Sequence, residues 1–255
     1  MFAAGDVAGR AYRALVCRGR LAWRQQATRT YAAVLGANAL WLHSAPARLA
    51  HAALGAASTN LDHLSSDPIS VLVTSACWVA PGGAGAVLGV VAFFVLVAAP
   101  LEARIGPRRW LVCFAAGHVG ATLVVAAGLV LAVRADIEPT SIARHIDVGW
   151  SYGGFALAAA LAFQLRSPWR WLVAGGLTVS RLVALVHPTF TDWGHLTALV
   201  IGFALGVRWR VAPRGRRAAG CLPATDAQQA DPAAAVGRTA PRGRPRARGG
   251  PATHG

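Results

Sequence analysis

Lysine is missing from the 255 residues: all 25 basic positions are arginine, set against ten acids, and only 14% of the chain is charged. Soluble domains carry roughly 25% charged residues. That shortage, with 55% hydrophobic residues, excludes an ordinary water-soluble protein. Cysteine is scarce too. Cys17, Cys77, Cys113 and Cys221 show no C-x-x-C spacing and no paired framework, so neither a disulfide scaffold nor a structural zinc site is indicated. The net charge of +15 permits contact with nucleic acid or anionic lipid. The position of the charges decides: arginine gathers at both ends and in short breaks between apolar runs that hold none or one. This is membrane patterning, and it points to a lipid bilayer and to no specific nucleic acid.

What the chain has in place of charge is apolar length. Ala84–Leu101, Trp110–Val133, Gly149–Leu165, Trp171–Val186 and Trp193–Val207 are roughly 15 to 24 residues long and almost uncharged. In lipid an unpaired backbone amide costs several kcal/mol, so such runs are helices. A further run, Tyr31–Leu42, is short for a bilayer that needs about 20 residues, and is expected to extend past His43 and Pro46 or to be distorted there. Its rival reading is a signal peptide cleaved near Ala45-Pro46-Ala47, against which stands a basic region too long for one. Pro46–Gly83 is a long connection in which Ile69–Ala80 is apolar but too short to cross, and lies in the interface or re-enters. From Ala212 onward the chain turns rich in Pro, Gly, Ala and Arg and reads as a disordered tail. The expectation is an all-α polytopic membrane protein: a basic arm over 1–30, six helices within 31–210, and a basic tail over 211–255.

Orientation follows from the arginines outside the spans. One side holds 21: six in the N-terminal arm, Arg104, Arg108 and Arg109 between spans two and three, Arg166 and Arg170 between spans four and five, and ten from Arg208 on. The other side holds Arg48, Arg134 and Arg144, with Arg181 inside span five. The asymmetry places both termini in the cytoplasm and the bundle in the plasma membrane. Arg181 is either an intramembrane functional charge or the outer boundary of a span that ends early. The arginines of the tail read as a retention charge and lipid contact.

With that topology, spans four and six both run inward from the outer face. Gly149-Trp150-Ser151-Tyr152-Gly153 opens one and Gly194-His195 opens the other, so a hydroxyl and an imidazole stand at matching depth. A serine within hydrogen-bond reach of a histidine is the minimal activated nucleophile, because imidazole takes the serine proton as oxygen attacks a carbonyl. It needs no metal and no diffusible cofactor. Gly194, Ala198, Gly202 and Gly206 recur every four residues down span six, and Gly149 and Gly153 begin a similar face on span four; small-residue faces let helix backbones approach closely. Taken singly, such a serine serves packing and such a histidine lies at the interface. His118, near the middle of span three, is a substitute donor or a buried packing residue. Asp147 and Asp192 orient the imidazole or complement helix dipoles.

Leu101-Glu102-Ala103-Arg104-Ile105-Gly106 followed by Arg109-Trp110, the serine motif at Ser151, and Gly194-His195-Leu196-Thr197-Ala198 with Gly202 together resemble the rhomboid family of intramembrane serine proteases, over roughly Tyr31 to Arg208. Ser58-Thr59-Asn60-Leu61, Gly117-His118-Val119-Gly120-Ala121-Thr122 and Asp147-Val148-Gly149 resemble the rhomboid-like branch of actinobacteria. The resemblance implies a six-helix rhomboid-like bundle, Ser151 as nucleophile and His195 as general base, with transmembrane proteins as substrates or clients. Active members usually carry a His-x-x-x-Asn pair that stabilises the oxyanion; those positions fall near Ala86 and Val90, which cannot donate. Tyr152 stands where the family's Gly-x-Ser-Gly has glycine, and its phenol is a candidate donor in exchange. Two functions stay open: a protease, and a proteolytically inactive protein that binds client transmembrane helices. A small-solute transporter or channel is a third, for which buried charges and broken helices are too few.

Overall fold

A computed structural model describes residues 25–79 and 84–210. The arm up to residue 24 and the tail from residue 211 lie outside the described residues. Among the described residues every regular element is helical. The order is α1 (Gln26–Ser44), α2 (Ala47–Ala56), α3 (Leu61–Ser66), α4 (Pro68–Ser75), α5 (Ala84–Phe93), a π-helical turn over Phe94–Ala98, α6 (Ala99–Ile105), α7 (Pro107–Arg134), a 3-10 turn over Thr140–Arg144, α8 (Ser151–Gln164), α9 (Trp169–Ala184) and α10 (Phe190–Arg208).

The first helix breaks at Ala45–Pro46, the second of the two alternatives for Tyr31–Leu42, and finds its length at the other end. It grows toward its N-terminus and reaches 19 residues, roughly 28 Å at 1.5 Å per residue. It stops at Ser44, because Ala45 precedes a proline and is held extended at φ −76°, ψ 147°. The polar start is tolerated because Glu102, fully buried in the first turn of α6, accepts the amide hydrogens of Ala27 at 3.0 Å and Thr28 at 2.7 Å. Two of the helix's orphan donors thereby find a carboxylate.

Ile69–Ala80 contains only an eight-residue helix, α4, which starts on Pro68 and buries Val71 and Ser75 while Ile69 and Val73 stay exposed. From Ala84 to Ile105 the chain is one helical rod interrupted by the π turn. Pro100 has no amide hydrogen to give Leu96, and just before it the amide of Ala99 reaches back five residues to the carbonyl of Phe94. The rod ends at Gly106, whose φ of +84° favours glycine, and Pro107 opens α7.

Among the described residues three helical stretches are long and apolar enough to cross a membrane: Val87–Ile105, Pro107–Arg134 and Phe190–Arg208. The other apolar runs fold as α1, α8 and α9. The shortest of these, α8, is the hub. Ala156, Leu157, Ala159, Ala160 and Ala162 are all but inaccessible, packed among α7, α9, α10 and the π turn. Large apolar side chains outside this hub, such as Val87, Leu88, Leu111, Leu123 and Val200, are exposed. That surface suits lipid and not water.

The glycine face of α10 meets α8, but through partners other than those expected. A Cβ on Gly194 would strike the Tyr152 ring, one on Gly202 the backbone of Ala156, and one on Gly206 Ala160 Cα at 2.9 Å. The opposing face is thus Tyr152, Ala156 and Ala160. Gly149 precedes the helix, with φ +144°, and Gly153 points at Phe114 of α7.

Candidate active site

The approach to Ser151 is pinned to the long connection between α1 and α5. The amide of Asp147 donates to Ser58 Oγ at 2.8 Å, and the amide and hydroxyl of Thr59 donate back to the Asp147 carbonyl at 2.9 and 3.0 Å. Two residues on, the amide of Gly149 donates to the Ser75 carbonyl at 3.0 Å. Trp150 then packs against Phe93, ring centroids 4.6 Å apart, and α8 starts at Ser151 with no capping side chain.

On α10, Thr189 and Asp192 form a reciprocal capping box, and His195 follows one turn later. The structure puts His195 Nε2 3.0 Å from Ser151 Oγ. With the ring proton on Nδ1, Nε2 accepts the serine hydroxyl hydrogen; both residues are half-buried and reachable. Among the described residues no carboxylate hydrogen-bonds the imidazole, and Nδ1 is buried without a hydrogen-bond partner. Two aromatic rings of α8 do the holding. Phe155, one turn past Ser151, lies 4.4 Å from the imidazole centroid, and Tyr152 meets it edge-on at 5.3 Å. Arg181 of α9 covers the Phe155 ring, its Cζ 4.8 Å from the centroid.

The remaining candidate side chains are engaged elsewhere. Asp192 accepts from the Thr189 amide at 3.0 Å and hydroxyl at 2.7 Å, an N-terminal cap and not a contact with His195. Asp147 faces Thr59, whose hydroxyl lies 3.5 Å from Asp147 Oδ2. His118 Nε2 is 3.1 Å from both Ser75 Oγ and the Leu72 carbonyl, joining α4 to α7. The buried Tyr152 hydroxyl is turned toward Asp147 and Thr191, and its ring is committed to Gly194. Val90 packs against the apolar core, and the side chain of Ala86 lies outside the described ones. Glu102 and Gly106 act on the helix ends already described, while Arg109 is exposed at the start of α7. Among the described residues no three His, Cys, Asp or Glu side chains are grouped to hold a metal ion.

Burial pushes the Asp147 carboxyl above the usual carboxylate range, against the opposing pull of the Thr59 hydrogen bond and of His145. The folded chain therefore binds this proton more tightly than the unfolded chain, and stability falls as pH rises through that range. Asp147→Asn removes this slope. The expected result is a melting temperature for the variant that gains on the parent between acid and neutral pH; parallel curves refute the assignment.

Phe155 and Ser75 were not singled out in the sequence. The only available signal for Phe155 was its i+4 spacing from Ser151; for Ser75 there was none, its partner being 43 residues away.

No curated protein and no solved structure matches the chain. The Rhomboid-like protein family matches residues 23–213, which includes every described helix and both members of the Ser151–His195 pair; the match speaks for the family as a whole and singles out no branch of it. On this match, covering well over half of its length, the chain belongs to the Rhomboid-like protein family.

Proposed function

We propose that the protein is an intramembrane serine protease of six spans, with both termini in the cytoplasm of a plasma-membrane topology, that cleaves transmembrane substrates near the outer face. The observation that carries this reading is the 3.0 Å approach of His195 Nε2 to Ser151 Oγ, the distance a general base requires. Ser151 Oγ attacks the scissile carbonyl carbon while its proton passes to Nε2. The imidazolium returns that proton to the leaving amide nitrogen as the C–N bond breaks. Water, deprotonated by the same nitrogen, then releases the acyl group from the serine. Negative charge on the tetrahedral oxygen meets the start of α8, where helix geometry leaves the first backbone amides without intrahelical acceptors and no side chain caps them.

Packing of Val90 in the apolar core, at a position near which active relatives carry a side-chain donor, favours a second reading: a proteolytically inactive protein that binds client transmembrane helices. Losing one oxyanion donor costs about 100- to 1000-fold in rate. A fluorophosphonate probe separates the two. Covalent labelling of Ser151 that disappears in both Ser151→Ala and His195→Ala, with cleavage falling by about 10⁴-fold or more in each, supports the protease. Unlabelled parent protein that still captures transmembrane helices, with capture unchanged in Ser151→Ala, replaces it with the client-binding reading.

A further inference from the structure

Arg181 sits in the last turn of α9, three residues before the helix ends at Ala184, so it marks the outer end of the span and lies level with the Ser151–His195 pair. The C-terminal dipole of α9 favours a cation there, but the side chain does not simply turn outward. It is half-buried and lies across Phe155, the ring whose centroid is 4.4 Å from that of His195. Imidazole and guanidinium therefore share one phenyl ring, one turn beyond the nucleophile. Its polar contact is a weak one, Nε donating to Ser180 Oγ at 3.4 Å. Among the described residues, Arg144 pairs with the Asp62 carboxylate at 3.0 Å, whereas Arg181 has no carboxylate within ion-pair distance; the acid that feels its charge, Asp192, is held by the Thr189 cap.

A guanidinium presents parallel N–H groups that match a carboxylate in bidentate fashion. We propose that Arg181 is a specificity-determining residue that binds the carboxylate of an acidic side chain within a residue or two of the scissile bond, an assignment that rests on the protease reading above. The same charge has a second effect. A cation on the far side of the Phe155 ring opposes the imidazolium that forms when His195 takes the serine proton. A substrate carboxylate neutralises that cation, so recognition acts on kcat as well as on KM.

The test uses the full chain in phosphatidylcholine liposomes and three transmembrane peptides that differ at one position beside the cleaved bond: Glu, Gln or Lys. The Glu peptide is expected to be cleaved with a kcat/KM about tenfold above the Gln peptide, and the Lys peptide slowest. Arg181→Gln should erase the order and Arg181→Glu reverse it, a rescue that a misfolded variant cannot produce. Equal rates on the parent protein, or a Glu preference that survives in Arg181→Gln, overturns the assignment. Affinity for the same peptides is also read by energy transfer on the Ser151→Ala chain. If nothing is cleaved yet Glu is bound in preference to Gln, the protease reading fails and the Arg181 site stands; if neither cleavage nor preference is seen, both fall. Liposomes containing phosphatidylglycerol supply the last arm: thermal stabilisation that Arg181→Gln removes, with no discrimination among the peptides, makes lipid phosphate the occupant and overturns the proposal.

Discussion

Adding one methyl group at Gly202 is expected to abolish fluorophosphonate labelling of Ser151 and to cost about 3 kcal/mol of stability. A Cβ there would overlap the Ala156 carbonyl oxygen and come within 2.7 and 2.8 Å of Ala156 Cα and C. These are backbone atoms inside a helix, so no rotamer change can clear the clash. Relief requires α10 to move away from α8, and those two helices carry the two halves of the pair. Moving them apart lengthens the 3.0 Å contact between His195 Nε2 and Ser151 Oγ and removes the geometry that a general base needs. Gly128→Ala is the matched control. It lies in the same kind of helical backbone with nothing within 4 Å of the added carbon, and is expected to be neutral or slightly stabilising. Full labelling with an unshifted melting temperature in Gly202→Ala would show that the α8–α10 contact is looser than described.

Glu102→Ala is expected to destabilise the bundle by about 3 to 5 kcal/mol, because it strips a buried acceptor from two buried or half-buried amides, each worth about 1 to 3 kcal/mol when left unsatisfied. The carboxylate joins the first turn of α6 to the first turn of α1 through Ala27 and Thr28, across about 75 residues of sequence. Thermal unfolding in detergent should show a drop of about 10 °C. Glu102→Gln keeps one acceptor oxygen and should fall between the two. The loss belongs to α1 more than to α8, so labelling of Ser151 measured well below the transition should survive in the Ala variant. Equal melting temperatures for all three proteins would contradict this anchoring role.

Hydropathy made much of this legible. Apolar runs have one way to satisfy their backbone in lipid; among the described residues each of them folds as helix, and three of the helices are long and apolar enough to cross a membrane. The meeting of Ser151 with His195 was readable because two segments entering from the same face put their first residues at one depth, and because Gly194, Ala198, Gly202 and Gly206 mark a face of close approach. Where the reading failed, the determinant was distant or lay outside the helix. Gly149 and Gly153 were paired by spacing, yet the helix begins only at Ser151, which rotates the contact to Tyr152, Ala156 and Ala160. The true start of α1 depends on an acid some 75 residues away. The clasp between Ser58–Thr59 and Asp147 joins positions almost 90 apart, and no local period announces it. Asp192 is the opposite case. Thr189 three residues before it spells a capping box, and that local motif takes the side chain that spacing alone had offered to His195.

The π turn over Phe94–Ala98 divides the molecule mechanically. On one side α7, α8 and α10 interlock through glycines and carry Ser151 and His195; on the other α5 presents Val87, Leu88 and Val91 outward and holds to the bundle through Val90, its junction with the widened turn and the Phe93–Trp150 ring contact. The widened turn thus sets α5 apart from the α8–α10 contact that fixes the distance between the serine oxygen and the imidazole nitrogen.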